Sequence, residues 1–161
     1  MKIRFATKED VPAILRLIKG IAEYEKLLHE VTATEEILYD SLFIKKSAEV
    51  LLGEEEEKII GFALFFHNFS TFTGKRGLYL EDLYVLPEHR HQGFGKQFFA
   101  ELIKIANERG CGRMEWICLD WNVPAIQFYT TCLNAIPMDE WTVYRLSERQ
   151  LCSKKSFHNN K

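Results

Sequence analysis

One stretch constrains this chain more than any other. The apolar, β-prone run Leu78–Leu86 ends at Pro87, a basic, glycine-containing turn follows at Arg90-His91-Gln92-Gly93-Phe94-Gly95-Lys96, and a helical pattern then runs from Gly93 to Glu108. A helix start presents backbone N–H groups without intrahelical partners and carries partial positive charge. Glycines at 93 and 95 let an anion approach that backbone closely. Arg90 and Lys96 add full charges, so the turn reads as a phosphate cradle.

Three phosphate loops are compatible with such a turn. A Walker loop requires Gly-x-x-x-x-Gly-Lys-Ser/Thr, but Gln97 follows Lys96 and position 90 is not glycine. A dinucleotide fingerprint requires a third glycine, and Gly93-Phe94-Gly95-Lys96-Gln97-Phe98 has none in that place. That fingerprint also usually opens a chain's first βαβ unit, whereas this loop lies past mid-chain. What remains is Arg-x-x-Gly-x-Gly, at Arg90 to Gly95.

The rest of the chain reads as one α/β domain over residues 1–152 with a polar tail at 153–161. Ile3 to Ala6 is a first strand, and Thr7 with Asp10 forms a capping pattern ahead of a helix. Val11, Ile14, Leu15, Ile18, Ile21 and Ala22 recur at three and four on one helix face. Thr34 caps a second helix to Leu42. Ala48–Leu52 and Ile59–His67 are strands joined by a solvated charge run at Glu54–Glu57. Phe69–Gly77 reads as a loop. Phe94, Phe98, Leu102, Ile105 and Ala106 line the long helix, which Gly110 and Gly112 stop. Met114–Leu119, Pro124–Cys132 and Trp141–Leu146 read as strand, helix and strand. The order β-α-α-β-β-β-α-β-α-β is a mixed-sheet α/β pattern.

A length of 161 residues suits one domain, and 47% apolar residues supply its core. A net charge of −2 gives no sign of a nucleic-acid partner. No apolar run is long enough for a membrane span, and the N-terminus lacks a signal-peptide pattern, which points to the cytoplasm. Cys111, Cys118, Cys132 and Cys152 have neither Cys-x-x-Cys nor metal-ligand spacing, so they read as reduced packing residues with no metal.

Arg-x-x-Gly-x-Gly after a long strand and before a long helix resembles the acetyl-CoA loop of the GCN5-related N-acetyltransferase (GNAT) superfamily. The resemblance covers nearly the whole chain. Further segments are Ile14-Leu15-Arg16-Leu17-Ile18-Lys19 with Tyr24-Glu25, Tyr79-Leu80-Glu81-Asp82-Leu83-Tyr84-Val85, and Asp120-Trp121-Asn122 with Phe128-Tyr129. These resemble the spermidine/spermine N1-acetyltransferase (diamine acetyltransferase) family. The resemblance implies a mostly antiparallel mixed sheet flanked by helices, with acetyl-CoA as cosubstrate in a splay between Leu78–Leu86 and Met114–Leu119. It implies direct acetyl transfer to a primary amine of a small molecule, and a homodimer.

By the same resemblance, Leu83, Tyr84 and Val85 bind the cofactor through strand backbone. Arg90, His91, Gln92, Gly93, Phe94, Gly95 and Lys96 hold its pyrophosphate, and Asn122 contacts it farther on. Tyr129 is the general acid and Glu81 the proton acceptor. Tyr24, Glu25, Glu81 and Asp82 line the amine pocket. Residue chemistry fits these roles: an alkylammonium of pKa about 10.4 must lose a proton before it attacks. A strand N–H near Leu83 could stabilise the oxyanion, and carboxylates attract a cationic acceptor. Read without the family, Tyr129 and Trp121 are packing aromatics and Glu25 a solvated carboxylate. Strand alternation places only one of Glu81 and Asp82 on the site face.

Two positions depart from the family. His91 stands where glycine is usual, which a backbone at negative φ tolerates. Ser70-Thr71 stands where polyamine-specific members carry an acidic residue that holds a distal ammonium, and so looks like the thialysine-acetylating branch. Thialysine, lysine-like compounds and short diamines are thereby as good candidates as polyamines. Aminoglycoside or protein amines, and a non-enzymatic acyl-CoA-binding module, stay open.

Overall fold

The apolar runs form one sheet in the order β1 (Lys2–Phe5), β2 (Glu49–Glu55), β3 (Lys58–Ser70), β4 (Lys75–Val85) and β5 (Met114–Glu115). The first four are antiparallel neighbours, and β5 joins β4 in parallel. The computed structural model describes residues 1–152. They fall into two compact units, Met1–Ile117 and a second beginning at Cys118. The tail read at 153–161 lies outside the described residues.

The first unit carries helices on both faces of its sheet. The pattern read at Val11–Ala22 becomes α1 (Val11–Tyr24), and α2 (Glu35–Tyr39) runs into a π-helical turn at Asp40–Ile44. Thr34 caps α2 by accepting the Ile37 N–H at 3.2 Å. Val11, Ile14 and Leu17 of α1, Leu38, and Leu42 pack on Val50, Leu52, Phe62 and Tyr84. Leu17, which lies on the periodic face read for α1, is wholly buried.

The long helix α3 (Phe94–Glu108) takes the other face. Gly53 and Gly61 pair directly across β2 and β3. A Cβ at either would stand 2.9 or 3.3 Å from the Phe98 ring, so the two glycines form the slot that seats α3. With both faces covered, the facing stretches Val50–Gly53 of β2 and Ile60–Ala63 of β3 are buried at every position, which explains their unalternating apolar runs. Gly110 at φ +66° ends α3, and the Cys111 N–H bonds back to the Ala106 carbonyl at 2.8 Å.

Several boundaries differ from those read in the sequence. The loop expected at Phe69–Gly77 shrinks to residues 71–74, because the β3–β4 ladder continues to Ser70↔Lys75 and Gly74 at φ +65° closes the turn. Glu54 and Glu55 belong to β2: Glu54 accepts from Arg4 Nε at 2.7 Å and Glu55 pairs with His89 at 3.0 Å. Only Glu56 and Glu57 form the turn, both at positive φ. The strand expected at Met114–Leu119 is two residues long. Trp141–Leu146 forms no strand; Trp141 is 69% and Tyr144 90% exposed. Aromatic and β-branched content favours a strand only where a neighbour supplies a ladder. Of the four cysteines, Cys132 and Cys152 are exposed, so packing accounts for Cys111 and Cys118 at most.

The glycine slot gives a direct test. A Cβ on Gly61 would also meet the Tyr84 carbonyl oxygen at 2.6 Å, and backbone cannot move aside cheaply. Gly61→Ala is expected to cost about 1–3 kcal/mol in chemical denaturation; unchanged stability would remove the slot as a determinant of α3 seating.

Candidate active site

The site grows from the end of β4. The register Leu64↔Asp82 and Phe65↔Leu80 leaves Glu81 as an extra residue, a bulge that interrupts the pleat. Strict alternation therefore does not choose between Glu81 and Asp82. Glu81 is exposed, whereas Asp82 is half-buried. Desolvation, with the charges of Glu81 and Glu25 added, raises Asp82 to about 6. Burial also raises Glu25 above the usual carboxylate range. The structure thus brings together Glu25 from the end of α1 and both carboxylates of the bulge. The burial and like charge around Asp82 tune its carboxyl toward neutral pH.

Past the bulge, β4 continues to Val85 while its parallel neighbour β5 pairs only with Leu78 and Tyr79. Leu83 and Val85 are half-buried, and the Tyr84 side chain enters the α1 core. Pro87–His89 then makes one 3-10 turn, tied to the β2–β3 hairpin through His89 Nδ1 and Glu55.

The cradle itself has the expected frame and one unexpected torsion. Gly93 caps α3 at φ +82°, and α3 has neither a side-chain cap nor an acidic residue in its first turn. A Cβ at Gly93 or Gly95 would meet nothing within 4 Å, so the helix start is open on that side. His91, Gln92 and Lys96 are exposed, and the Phe94 side chain is buried. His91 lies at φ +62°, contrary to the negative φ assumed from its being a non-glycine residue. The turn demands the left-handed conformation there whether or not glycine supplies it.

Arg90 is engaged within the chain. Its Nε donates to the Val85 carbonyl at 3.0 Å. Its guanidinium carbon lies 4.6 Å from the Tyr24 ring centroid and 5.3 Å from that of Tyr84. The signal missed in the sequence is Gly20, inside an otherwise strong helix: a Cβ there would stand 2.9 Å from the Tyr84 ring.

Ser70 is not brought to this site within one chain. It is buried at the far end of the hairpin, opposite Lys75, and its hydroxyl accepts the Thr73 N–H at 3.4 Å. On β3, Ser70 lies six residue steps from Leu64, the partner of Asp82, about 20 Å of strand. In the second unit, Asn122 caps α4 (Val123–Gln127) by accepting the Ala125 N–H at 3.4 Å. Tyr129 lies half-buried in the π-helical turn Phe128–Cys132, its ring 5.7 Å from that of Phe128. A last short helix, α5 (Glu148–Cys152), follows.

Residues 13–133 match the family model described as "Acetyltransferase (GNAT) family". The chain belongs to the GNAT acetyltransferase family. It is 38% identical to the thialysine N-epsilon-acetyltransferase of Sus scrofa over 94% of this chain and 97% of that one. It is 33% identical to the L-ornithine N5-acetyltransferase NATA1 of Arabidopsis thaliana, over 91% and 84%. Among solved structures, an aminoglycoside acetyltransferase from an uncultured soil sample superposes with TM-score 0.76 at 22% identity, over 91% and 96% of the two chains. A ribosomal-protein-alanine N-acetyltransferase from Brucella melitensis does so at 0.72 and 20%, over 91% and 99%. At those identities the structures establish the α/β fold, and the family match makes this chain an acetyltransferase.

The strain at His91 is measurable. His91→Val, β-branched at φ +62°, is expected to lose about 1–2 kcal/mol in chemical denaturation. His91→Gly is expected to stay within about 0.5 kcal/mol of the parent, because relief of strain offsets the added chain entropy. A valine variant as stable as the parent would mean the turn does not need a left-handed residue there.

Proposed function

We propose that this enzyme acetylates the terminal amine of a small amino-acid side chain, thialysine- or ornithine-like, with acetyl-CoA as cosubstrate. The observation that carries this reading is Asp82, a half-buried carboxylate raised to about 6 at a strand bulge beside Glu25 and Glu81, on the strand that leads to an open glycine cradle. The two relatives named above act on thialysine and ornithine, and both match most of their length.

The cradle fits acetyl-CoA: open glycines and the uncapped start of α3, with Lys96 in its first turn, suit a pyrophosphate. Backbone from Leu83 to Val85, with Asn122, would hold the rest. When bound, acetyl-CoA supplies the activated acetyl thioester. The carboxylates attract and orient the ammonium, and Asp82 takes its proton directly or through water. Tyr129 holds the proton that a leaving thiolate requires. Ser70 carries no part of this proposal. A homodimer and a cytoplasmic location belong to it as well. The exposed apolar side chains of Trp141, Val143, Tyr144 and Leu146 support the first, and four cysteines outside any disulfide suit a reducing compartment.

Acetyl-CoA consumption over a panel of thialysine, lysine, ornithine, putrescine, spermidine and spermine tests the acceptor. The highest kcat/KM is expected with thialysine or ornithine. Preference for spermine, or for an aminoglycoside or peptide amine added to the panel, would refute that part, and no turnover with CoA binding retained would favour a binding module.

Proton movement has its own signature. Activity requires Asp82 ionised, so kcat/KM should rise with pH through about 6. Asp82→Asn should lower kcat about 100-fold and remove that limb. Glu25→Gln should move it to lower pH, since a negative neighbour is lost. Tyr129→Phe should lower kcat while CoA affinity holds. A limb that persists in Asp82→Asn would return the base role to Glu81.

A further inference from the structure

Arg90 opens the cofactor loop, and in sequence it counts as a cation for phosphate. Its surroundings describe a different role. The guanidinium lies over two tyrosine rings, and Nε is committed to the Val85 carbonyl. Its own N–H bonds the Pro87 carbonyl at 3.2 Å, and the side chain is half-buried. The rings come from different places. Tyr84 is held in the core by the gap at Gly20, so it is the fixed wall. Tyr24, the last residue of α1 and 37% exposed, is the outer one, next in sequence to Glu25.

We propose that Arg90 is a positioning residue that ties Tyr24, on the acceptor side, to β4 and the start of the cradle, and that it is not a phosphate ligand. This rests on the reading of the cradle and the acceptor pocket given above. A planar, delocalised cation suits such a tether, because it stacks on aromatic faces while one edge donates to a carbonyl. Lysine keeps the charge but has no plane and no Nε fork, so the two roles separate by substitution. A phosphate ligand would depend mainly on charge, whereas a stacked tether depends on shape. The linkage also places the next torsion, because Arg90 is extended at φ −73° and ψ 167° immediately before the left-handed His91. Tyr24, Tyr84, Val85 and the strained turn are thus joined through one side chain.

The test uses the full chain, with the Kd for CoA measured by calorimetry without amine, and KM and kcat for the best acceptor at saturating acetyl-CoA. Arg90→Gln should leave the CoA Kd within about threefold and raise the amine KM tenfold or more, with kcat changed less. Arg90→Lys should not restore KM. Tyr24→Leu should raise KM comparably, and the Arg90→Gln/Tyr24→Leu double variant should be little worse than either single one, since both break one linkage. A CoA Kd raised tenfold in Arg90→Gln and recovered in Arg90→Lys would overturn the proposal in favour of a phosphate contact. Additive KM losses, or an unchanged KM in Arg90→Gln, would overturn it too. Failure of the underlying reading would show differently, as absent CoA binding or amine turnover in the parent enzyme.

Discussion

The placement of the start of α3 depends on one contact, the Phe98 ring against the Gly53–Gly61 pair. A helix dipole and a set of open N–H groups are useful only where the helix begins, and α3 begins where its packing on the sheet lets it. Phe98 sits one turn into α3, so the slot beneath it sets the height of Gly93 and Gly95 above β4. Burying such an aromatic contributes about 2–3 kcal/mol, and two glycines inside strands cost less than that between them only because the ring fills what they vacate. The same register that pairs Gly53 with Gly61 pairs Gly61 with Val85, one residue before the turn into the cradle segment begins.

The bulge at Glu81 is the second determinant. In a regular pleat, Glu81 and Asp82 would face opposite sides, and one carboxylate would stand alone. The extra residue gathers both with Glu25, and mutual repulsion plus desolvation then does what isolation would not. Asp82 raised to about 6 is mostly ionised at neutral pH yet remains a better base than an ordinary aspartate.

Much of this was legible in the chain. Both long amphipathic helices, Thr34 as a cap and the glycine stop at 110 follow from local rules, and each appears as read. What was not legible is what needs two segments at once. Position 91 looked safe for histidine because its φ is a property of the turn, not of histidine. Glu54 and Glu55 looked solvated because Arg4 and His89 are far away in sequence. Family resemblance alone assigns Ser70 to the pocket, and the hairpin carries it to the end of β4 away from Asp82. Trp141–Leu146 has strand composition without a strand, since composition cannot supply a neighbour.

The energetics of proton removal decide how Asp82 can serve. An alkylammonium at about 10.4 and a carboxylate at about 6 differ by roughly 4 units, or about 6 kcal/mol uphill for the transfer. A turnover near 10 per second corresponds to a barrier of about 16 kcal/mol, so the transfer fits inside it. An ordinary aspartate near 3.9 would need about 3 kcal/mol more, a loss of roughly a hundredfold if the whole difference reached the transition state. Clustering the three carboxylates therefore serves two ends. In the mechanism we propose, their charge would draw a cationic amine to the site, and their repulsion would leave one of them basic enough to deprotonate it.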